Sequence, residues 1–292
     1  MKNKFNKKNL TENFVHGIFL ILGLITVASV LVITVYLVIS GIPAIREIGL
    51  FKFLFGKVWK PTASTPEYGI LPFILTSIYG TAGAIVIGVP IGFMTSVWLA
   101  KFAPACVKSI VSSGVSLLAG IPSVVYGLVG MMILVPGIRK LLHVPDGASL
   151  LAAITVLAVM ILPSIIKVSL TALEAVPKEY EEASLALGAN ETETYFRISV
   201  PAAKSGIAAS VVLGVGRAIG EAMAVMMVSG NASNMPSLLE SVRFLTTAVA
   251  SEMSYSSGIH REALFSIALV LFVFIMLINA VLNFFLKRSK DK

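Results

Sequence analysis

Six apolar segments long enough to cross a membrane divide this sequence, and they constrain the fold more than any other feature. A hydrocarbon core about 30 Å thick needs roughly 20 apolar residues per helix. Charged residues make up only 13% of the chain, about half the share that is usual in a soluble domain. The sequence therefore predicts an all-α integral membrane protein with six transmembrane helices, at residues 17–40, 70–100, 113–137, 149–170, 205–230 and 263–286.

The basic residues indicate how the chain crosses the membrane. Residues 1–16 form a lysine-rich tail, and residues 287–292 form a second basic tail after the last span. Because lysine and arginine are enriched in cytoplasmic segments, we expect both tails in the cytoplasm of a prokaryotic cell, with the charged connection 171–204 on the same side. Residues 17–69 then hold the first span, too long for a signal peptide, and an outer loop. Residues 70–286 form a core of five helices.

Proline and glycine interrupt three of the predicted spans. Gly88 and Pro90 lie in the second span, Pro122 in the third and Pro163 in the fourth. Broken helix at membrane depth is tolerated only where protein or a water-filled cavity surrounds it. These positions therefore predict helices that line or gate a path, with ordinary helix kinks as the alternative.

The connection 171–204 predicts two short helices with defined ends. Pro177 suits the first position of a helix, where its missing N–H costs nothing, and Gly188 can adopt the left-handed conformation that ends one. Asn190 and Glu193 have the spacing of a capping box for a second helix, which we expect Pro201 to close. On the first helix, the spacing of Tyr180, Ala183 and Leu187 places these three residues on one face.

The stretch "EASLALGANETETYFRISVP" resembles the EAA loop of ATP-binding-cassette (ABC) importer permeases. In that family the loop docks into a groove on the ATPase subunit and transmits its closure, so the resemblance implies a cytoplasmic coupling helix here. Serine stands where the motif has its second alanine, a change between small residues. The matching positions are Glu182, Ala183, Ser184, Gly188, Ile198, Val200 and Pro201.

Four further stretches resemble the permeases of phosphate-specific ABC importers, at residues 67–81, 118–130, 216–225 and 245–273. The likeness is closer to the C-type subunit (PstC) than to the A-type. It implies a type I ABC importer permease fold and inward transport of inorganic phosphate. The implied partners are a homologous A-type permease, two copies of an ABC ATPase and an extracytoplasmic phosphate-binding protein.

ATP and magnesium are expected on the partner ATPase and not on this chain. The sequence contains no GxxxxGK[ST] phosphate-binding loop, so we expect a permease subunit without its own ATPase site, cofactor or metal. It also offers no nucleophile–base pair for an intramembrane enzyme. Nucleic acid is not an expected partner, because the positive charge lies where lipid headgroups attract it.

Arg217 and Glu221 stand four residues apart inside the fifth apolar segment. An arginine near the bilayer centre costs about 2.5–3.5 kcal/mol on insertion scales. On a continuous helix the two side chains share one face and can pair, while Gly214, Gly216 and Gly220 let neighbouring helices approach. The pair either fixes helix packing or serves the transported ion. We favour the second, because a guanidinium matches phosphate in charge and geometry.

Several alternatives remain open at this point. Sulfate or molybdate would suit the same arginine, and a non-transport membrane scaffold would need no docking loop. His16, His143 and His260 show no metal-ligand spacing, which favours surface roles, and Trp59 and Trp98 suit interfacial anchors. We expect the 231–262 loop outside the membrane, either touching a substrate-delivering protein or lying flat on the bilayer.

Overall fold

Helices dominate the computed structural model, which describes residues 2–290. Met1, Asp291 and Lys292 of the predicted tails lie outside the described residues. A two-stranded antiparallel hairpin joins β1 (Trp59–Lys60) to β2 (Glu67–Tyr68), and π-helical turns occur at Trp98–Phe102, Gly130–Leu134 and Tyr195–Ser199. The helices are α1 (Lys2–Ile48), α2 (Leu50–Phe55), α3 (Leu71–Val97), α4 (Ala105–Gly120), α5 (Ser123–Val129), α6 (Val135–Leu142), α7 (Leu150–Glu174), α8 (Lys178–Ala186), α9 (Glu191–Thr194), α10 (Val200–Ala202), α11 (Lys204–Gly220), α12 (Met223–Val228), α13 (Leu245–Glu252) and α14 (Gly258–Lys290).

Five stretches of the described chain are long and apolar enough to cross a membrane singly: Phe14–Ile48, Leu71–Phe102, Ser123–Leu142, Leu150–Glu174 and Gly258–Leu282. The remaining predicted span corresponds to α11, which has 17 residues. It reaches spanning length only together with the preceding helical stretch, from which it bends by 67°. The prediction of six crossings therefore holds if this bent pair counts as one span.

Of the interrupting prolines, only Pro122 breaks a helix. α3 continues through Gly88 and Pro90, so the predicted break there is wrong, and α7 continues through Pro163, as the alternative of a proline within a continuous helix allows. At the third predicted span, α4 ends at Gly120 and α5 begins after Pro122. The third crossing therefore begins at residue 123, while residues 113–120 belong to a separate helix.

Glycines in α3 serve close packing of two helices. A Cβ atom at Gly88 would lie 2.7 Å from the Ile161 side chain of α7, and one at Gly92 would lie 2.8 Å from Ile165. Small residues at such contacts let membrane helices approach and gain dispersion energy. α7 thus fits tightly between α3 and α11, and its residues dominate the largest buried cluster.

The connection after α12 folds back into the bundle. Leu245 and Thr247 of α13 are fully buried or nearly so, and the Leu245 N–H donates to Ser77 Oγ of α3 at 3.0 Å. The ring of Phe244 lies against Gly80, where any Cβ would clash with it. The expectation that the 231–262 loop lies flat on the bilayer is therefore wrong for α13, whose polar groups find partners inside the protein.

If the bent pair counts as one span, six alternate crossings bring the described ends of α1 and α14 to the side of α8 and α9. The first crossing belongs to a helix that begins at Lys2, so the described part of the predicted tail, residues 2–16, continues into the span as one helix. That this side is the cytoplasm stays a prediction.

Candidate substrate path and coupling loop

A helix break at Glu221 lies within the fifth predicted span, residues 205–230. α11 ends at Gly220, Glu221 adopts an extended conformation with ψ 127°, and α12 begins at Met223. The break leaves backbone groups without helical partners, which at membrane depth must be satisfied by other parts of the protein or by water. It also follows a glycine, as does the break at Pro122, which comes after Gly120.

Glu221 holds this break in place through two hydrogen bonds. Its Oε1 accepts from the Ala224 N–H at 2.9 Å, which caps the free end of α12. Its backbone carbonyl accepts from Thr246 Oγ1 of α13 at 2.8 Å. The buried helix α13 and the broken crossing are therefore joined directly.

The predicted pairing of Arg217 with Glu221 is wrong in this structure. No ion pair within 4.0 Å joins them among the described residues. The i, i+4 relationship needs a continuous helix, and the break turns the Glu221 carboxylate towards α12. Arg217 Nη1 instead points to Ser164 Oγ of α7 at 3.5 Å, a long contact.

Arg217 lies half-buried on a helix face that the chain leaves largely uncovered. On the same face, Leu213 is 55% exposed, and a Cβ at Gly216 or Gly220 would meet nothing within 4 Å. Of the three glycines Gly214, Gly216 and Gly220, only Gly214 packs closely against another described residue, because a Cβ there would lie 3.2 Å from the Ile165 side chain. The guanidinium thus borders open space at the level of the helix break.

The two broken crossings meet beside this space. α5, which follows the Pro122 break, packs against α12, and a Cβ at Gly127 would lie 2.8 Å from Ala224 Cα. The Tyr126 hydroxyl donates to the Leu118 carbonyl across the first break at 2.7 Å. The half-helices α5 and α12 therefore pack against one another, and α12 begins six residues after Arg217.

The coupling loop, residues 171–204, has most of its predicted local structure. Gly188 has a left-handed φ of 91° directly after α8, and Asn190 with Glu193 forms the capping box. Pro177 is the N-cap residue of α8 and not its first helical residue. Pro201 lies within α10, so helical structure continues to Ala202.

Some residues of the EAA-like motif contact other parts of the chain, and others are exposed. Ser184 Oγ lies 2.9 Å from Thr194 Oγ1 and joins α8 to α9, whereas Glu182 and Ala183 are exposed. Ile198 and Val200 are half-buried, and Pro201 is exposed. The apolar face of α8 also has no cover from this chain, because Leu187 is 90% and Tyr180 55% exposed.

Glu181, which sequence reasoning missed, anchors α8 to the spans. Its carboxylate forms an ion pair with Lys101 and accepts a hydrogen bond from Ser199 Oγ at 2.7 Å. Lys101 lies in the π-helical turn that follows α3. Lys108 and Glu174 form a second ion pair at 2.6 Å. The two ion pairs tie the loop to the π-helical turn after α3 and to α4, and no local sequence motif marks them.

Burial raises the pKa of the Glu181 carboxyl, but hydrogen bonds from Lys101 and Ser199 and the charges of Lys101 and Lys178 outweigh burial, so the pKa lies below the usual 4.5. The stabilisation is therefore complete above that usual value and is lost as the pH falls through the lowered one. We expect Glu181→Gln to speed hydrogen–deuterium exchange in α8 at neutral pH, with the difference from the unaltered chain disappearing in acid. Glu179→Gln, at an exposed position of the same helical turn, is the control. A difference that persists unchanged in acid would contradict the assignment.

The chain is similar in sequence to several membrane transport proteins. Residues 88–291 match the family described as binding-protein-dependent transport system inner membrane component. The chain is 38% identical over 266 residues to the probable ABC transporter permease protein YqgH of Bacillus subtilis, covering 88% of this chain and 86% of that protein. It is 33% identical over 279 residues to the phosphate transport system permease protein PstC of Haemophilus influenzae, with the same shares covered.

Solved structures share the fold at low sequence identity. The MetNI methionine ABC transporter in an inward facing conformation has a TM-score of 0.56 and 18% identity, covering 76% of this chain and 94% of that one. An amino acid ABC transporter has a TM-score of 0.55 and 20% identity, covering 75% and 92%. The predicted type I importer permease fold is thereby confirmed.

Proposed function

This chain belongs to the family of binding-protein-dependent transport system inner membrane components, and we therefore propose that it is the membrane-spanning subunit of an ATP-driven importer of inorganic phosphate. The position of Arg217 carries the proposal. The guanidinium borders open space at a helix break inside the membrane, and its side chain forms no ion pair with any described carboxylate. A half-buried guanidinium without an ion-pair partner can bind an anion that moves along the path.

Hydrogen phosphate suits this position better than a neutral solute does. The planar guanidinium offers several N–H donors to phosphate oxygens, and charge-assisted hydrogen bonds are about twice as strong as neutral ones. Transport also requires release, because a site that binds too tightly does not conduct. The long Ser164 contact leaves the guanidinium free to take and release an oxyanion without first breaking an ion pair.

Glu221 acts on the path through the shape of the helix. It caps α12 through Ala224 and accepts from Thr246 through its carbonyl. These bonds maintain the break between α11 and α12 and hold Arg217 at its edge. We therefore assign Glu221 a positioning role in place of the predicted ion pair.

A second permease subunit is needed to enclose the path. The face bearing Arg217 and the uncovered Gly216 and Gly220 is not covered by this chain. A homologous A-type subunit would cover this face and supply a second cation for a divalent anion. An extracytoplasmic phosphate-binding protein would deliver the ion.

The exposed apolar face of α8 suits docking on an ABC ATPase, present in two copies. Leu187 and Tyr180 project from a helix anchored by Glu181, and an anchored helix transmits a push that a loose loop would absorb. ATP and magnesium would then bind to the ATPase subunits, and this chain contributes no catalytic group. The coupling loop, and with it both chain termini, would lie in the cytoplasm.

The test is uptake of radiolabelled phosphate by the importer reconstituted in proteoliposomes with its partner permease, ATPase and binding protein. We expect uptake that needs ATP on the side of the coupling loop and that excess sulfate or molybdate does not suppress. One of the similar proteins is a phosphate transport system permease, which favours phosphate over the other two oxyanions. Preferential uptake of labelled sulfate or molybdate would overturn the assignment of the substrate.

A further inference from the structure

A polar cavity of about 460 Å³ opens at the end of the bundle opposite the coupling loop. The hairpin, the segment before α13 and the beginning of α14 all contribute to its wall. Lys60, Arg243 and His260 place nitrogen donors in the lining, and Ser233 and Tyr255 add hydroxyl groups. The lining is therefore rich in groups that bind anions.

The carboxylate in this lining, Glu252, is already fully engaged. One oxygen forms an ion pair with Arg243. The other lies 2.8 Å from His260 Nε2 and accepts from Trp59 Nε1 at 3.1 Å. With its side chain 8% exposed, Glu252 is turned into the protein and is neutralised there. The surface role expected of His260 and the interfacial anchoring expected of Trp59 are thus wrong, because both are held in this buried network.

Lys60 supplies the surplus positive charge of the cavity. Its side chain is exposed, and no carboxylate lies within 4.0 Å of its ammonium group among the described residues, although Glu67 is its neighbour across the hairpin. Arg243 is fixed beside it, because its Nε donates to the Asn231 carbonyl at 2.8 Å. A cavity with one neutralised carboxylate, a fixed guanidinium and a free ammonium favours an oxyanion.

The cavity is also connected to the path by a single short helix. Glu252 ends α13, and Thr246 near the beginning of α13 donates to the Glu221 carbonyl at the helix break. α13 has only 8 residues. α13 thus links the wall of the cavity to the helix break that follows Arg217.

We propose that this cavity is an entry site that binds free inorganic phosphate before it reaches Arg217. The proposal rests on the proposed function, since it assigns a phosphate-binding site that precedes Arg217 in the same transport path. Lys60 and Arg243 are the phosphate ligands, and Glu252 positions Arg243. The hydroxyl groups of Ser233 and Tyr255 complete the polar wall.

The fluorescence of Trp59, which lines this cavity, can report on binding at the site. The chain has two tryptophans, so the Trp98→Phe variant leaves Trp59 as the single one in the purified full chain in lipid nanodiscs. We expect sodium phosphate to change Trp59 fluorescence in a saturable manner, and sodium chloride at equal ionic strength to leave it unchanged. In the Trp98→Phe variant, the further substitution Lys60→Gln should raise the half-saturating phosphate concentration about tenfold. This is the loss of affinity expected when one charge-assisted hydrogen bond is removed.

Two further variants separate this site from the membrane path. Lys57→Gln removes the same charge from an exposed position before the hairpin and should leave the response unchanged. Arg217→Ala should also leave the Trp59 response to phosphate unchanged. The experiment therefore tests the entry site separately from the assignment of Arg217 to the membrane path. The proposal is overturned if phosphate gives no saturable response, if Lys60→Gln responds like its parent, or if the response disappears with Arg217→Ala.

Discussion

Replacing Arg217 by alanine is expected to reduce ATP-driven phosphate uptake by about two orders of magnitude. Losing a partner of a desolvated charged group costs about 2–5 kcal/mol, and each 1.4 kcal/mol corresponds to a factor of ten. Arg217 makes little contact with polar groups of its own chain, and its hydrogen bond to Ser164 is long at 3.5 Å. The variant should therefore fold and assemble normally, and the loss should appear in the initial rate of uptake by proteoliposomes.

Arg217→Lys serves as the matched variant. It keeps the positive charge and loses the planar fork that binds two phosphate oxygens together, so uptake should fall between that of Arg217→Ala and that of the unaltered chain. ATP hydrolysis by the complex, measured in parallel, reports whether the subunits still assemble. Unchanged uptake by Arg217→Ala in an intact complex would contradict a role for this residue in the path.

Replacing Leu187 by glutamate is expected to abolish stable association with the ATPase. Leu187 is 90% exposed in the chain alone, so the substitution leaves the fold of the permease intact. Burying a leucine contributes about 1.5–3 kcal/mol, and a charge in its place must be desolvated without a partner. The combined loss should remove the ATPase from the purified complex and stop phosphate uptake.

Leu187→Met and Thr192→Glu are the controls for this second variant. Methionine preserves volume and apolar character and should retain the ATPase. Thr192→Glu places the same charge at an exposed position of α9, away from the apolar face of α8, and should also retain it. Co-purification of the ATPase with Leu187→Glu at the level of the unaltered chain would show that this face is not the docking surface.

Sequence reasoning located the spans and the coupling loop because both depend on local patterns. A run of apolar residues defines a crossing by length alone, and Gly188 and the Asn190 capping box define helix ends through their own backbone preferences. Proline predicted helix breaks less well than these patterns predicted spans and helix ends. Pro90 and Pro163 remain inside continuous helices, whereas the break at Glu221 involves no proline at all.

The contacts of the site depended on residues far apart in sequence, which local patterns do not reveal. The i, i+4 spacing predicted a pair, but Thr246 and Ala224 engage Glu221 and separate it from Arg217. Likewise, the ion pair of Glu181 with Lys101 joins residues 80 positions apart. The buried position of α13 was also missed, since its sequence alone allows an exposed amphipathic helix.

The central claim, that Arg217 borders a water-filled path, is tested most directly by thiol accessibility at Gly220. A Cβ there would meet nothing within 4 Å, so Gly220→Cys fits without strain, and Cys106→Ser removes the other thiol of the chain. In the assembled importer we expect a membrane-impermeant methanethiosulfonate to modify the introduced thiol, with access changing sides between the resting and the ATP-vanadate-trapped states and phosphate slowing the reaction. A thiol that stays unreactive from both sides in every state would place Arg217 in lipid or in sealed protein and would contradict the account.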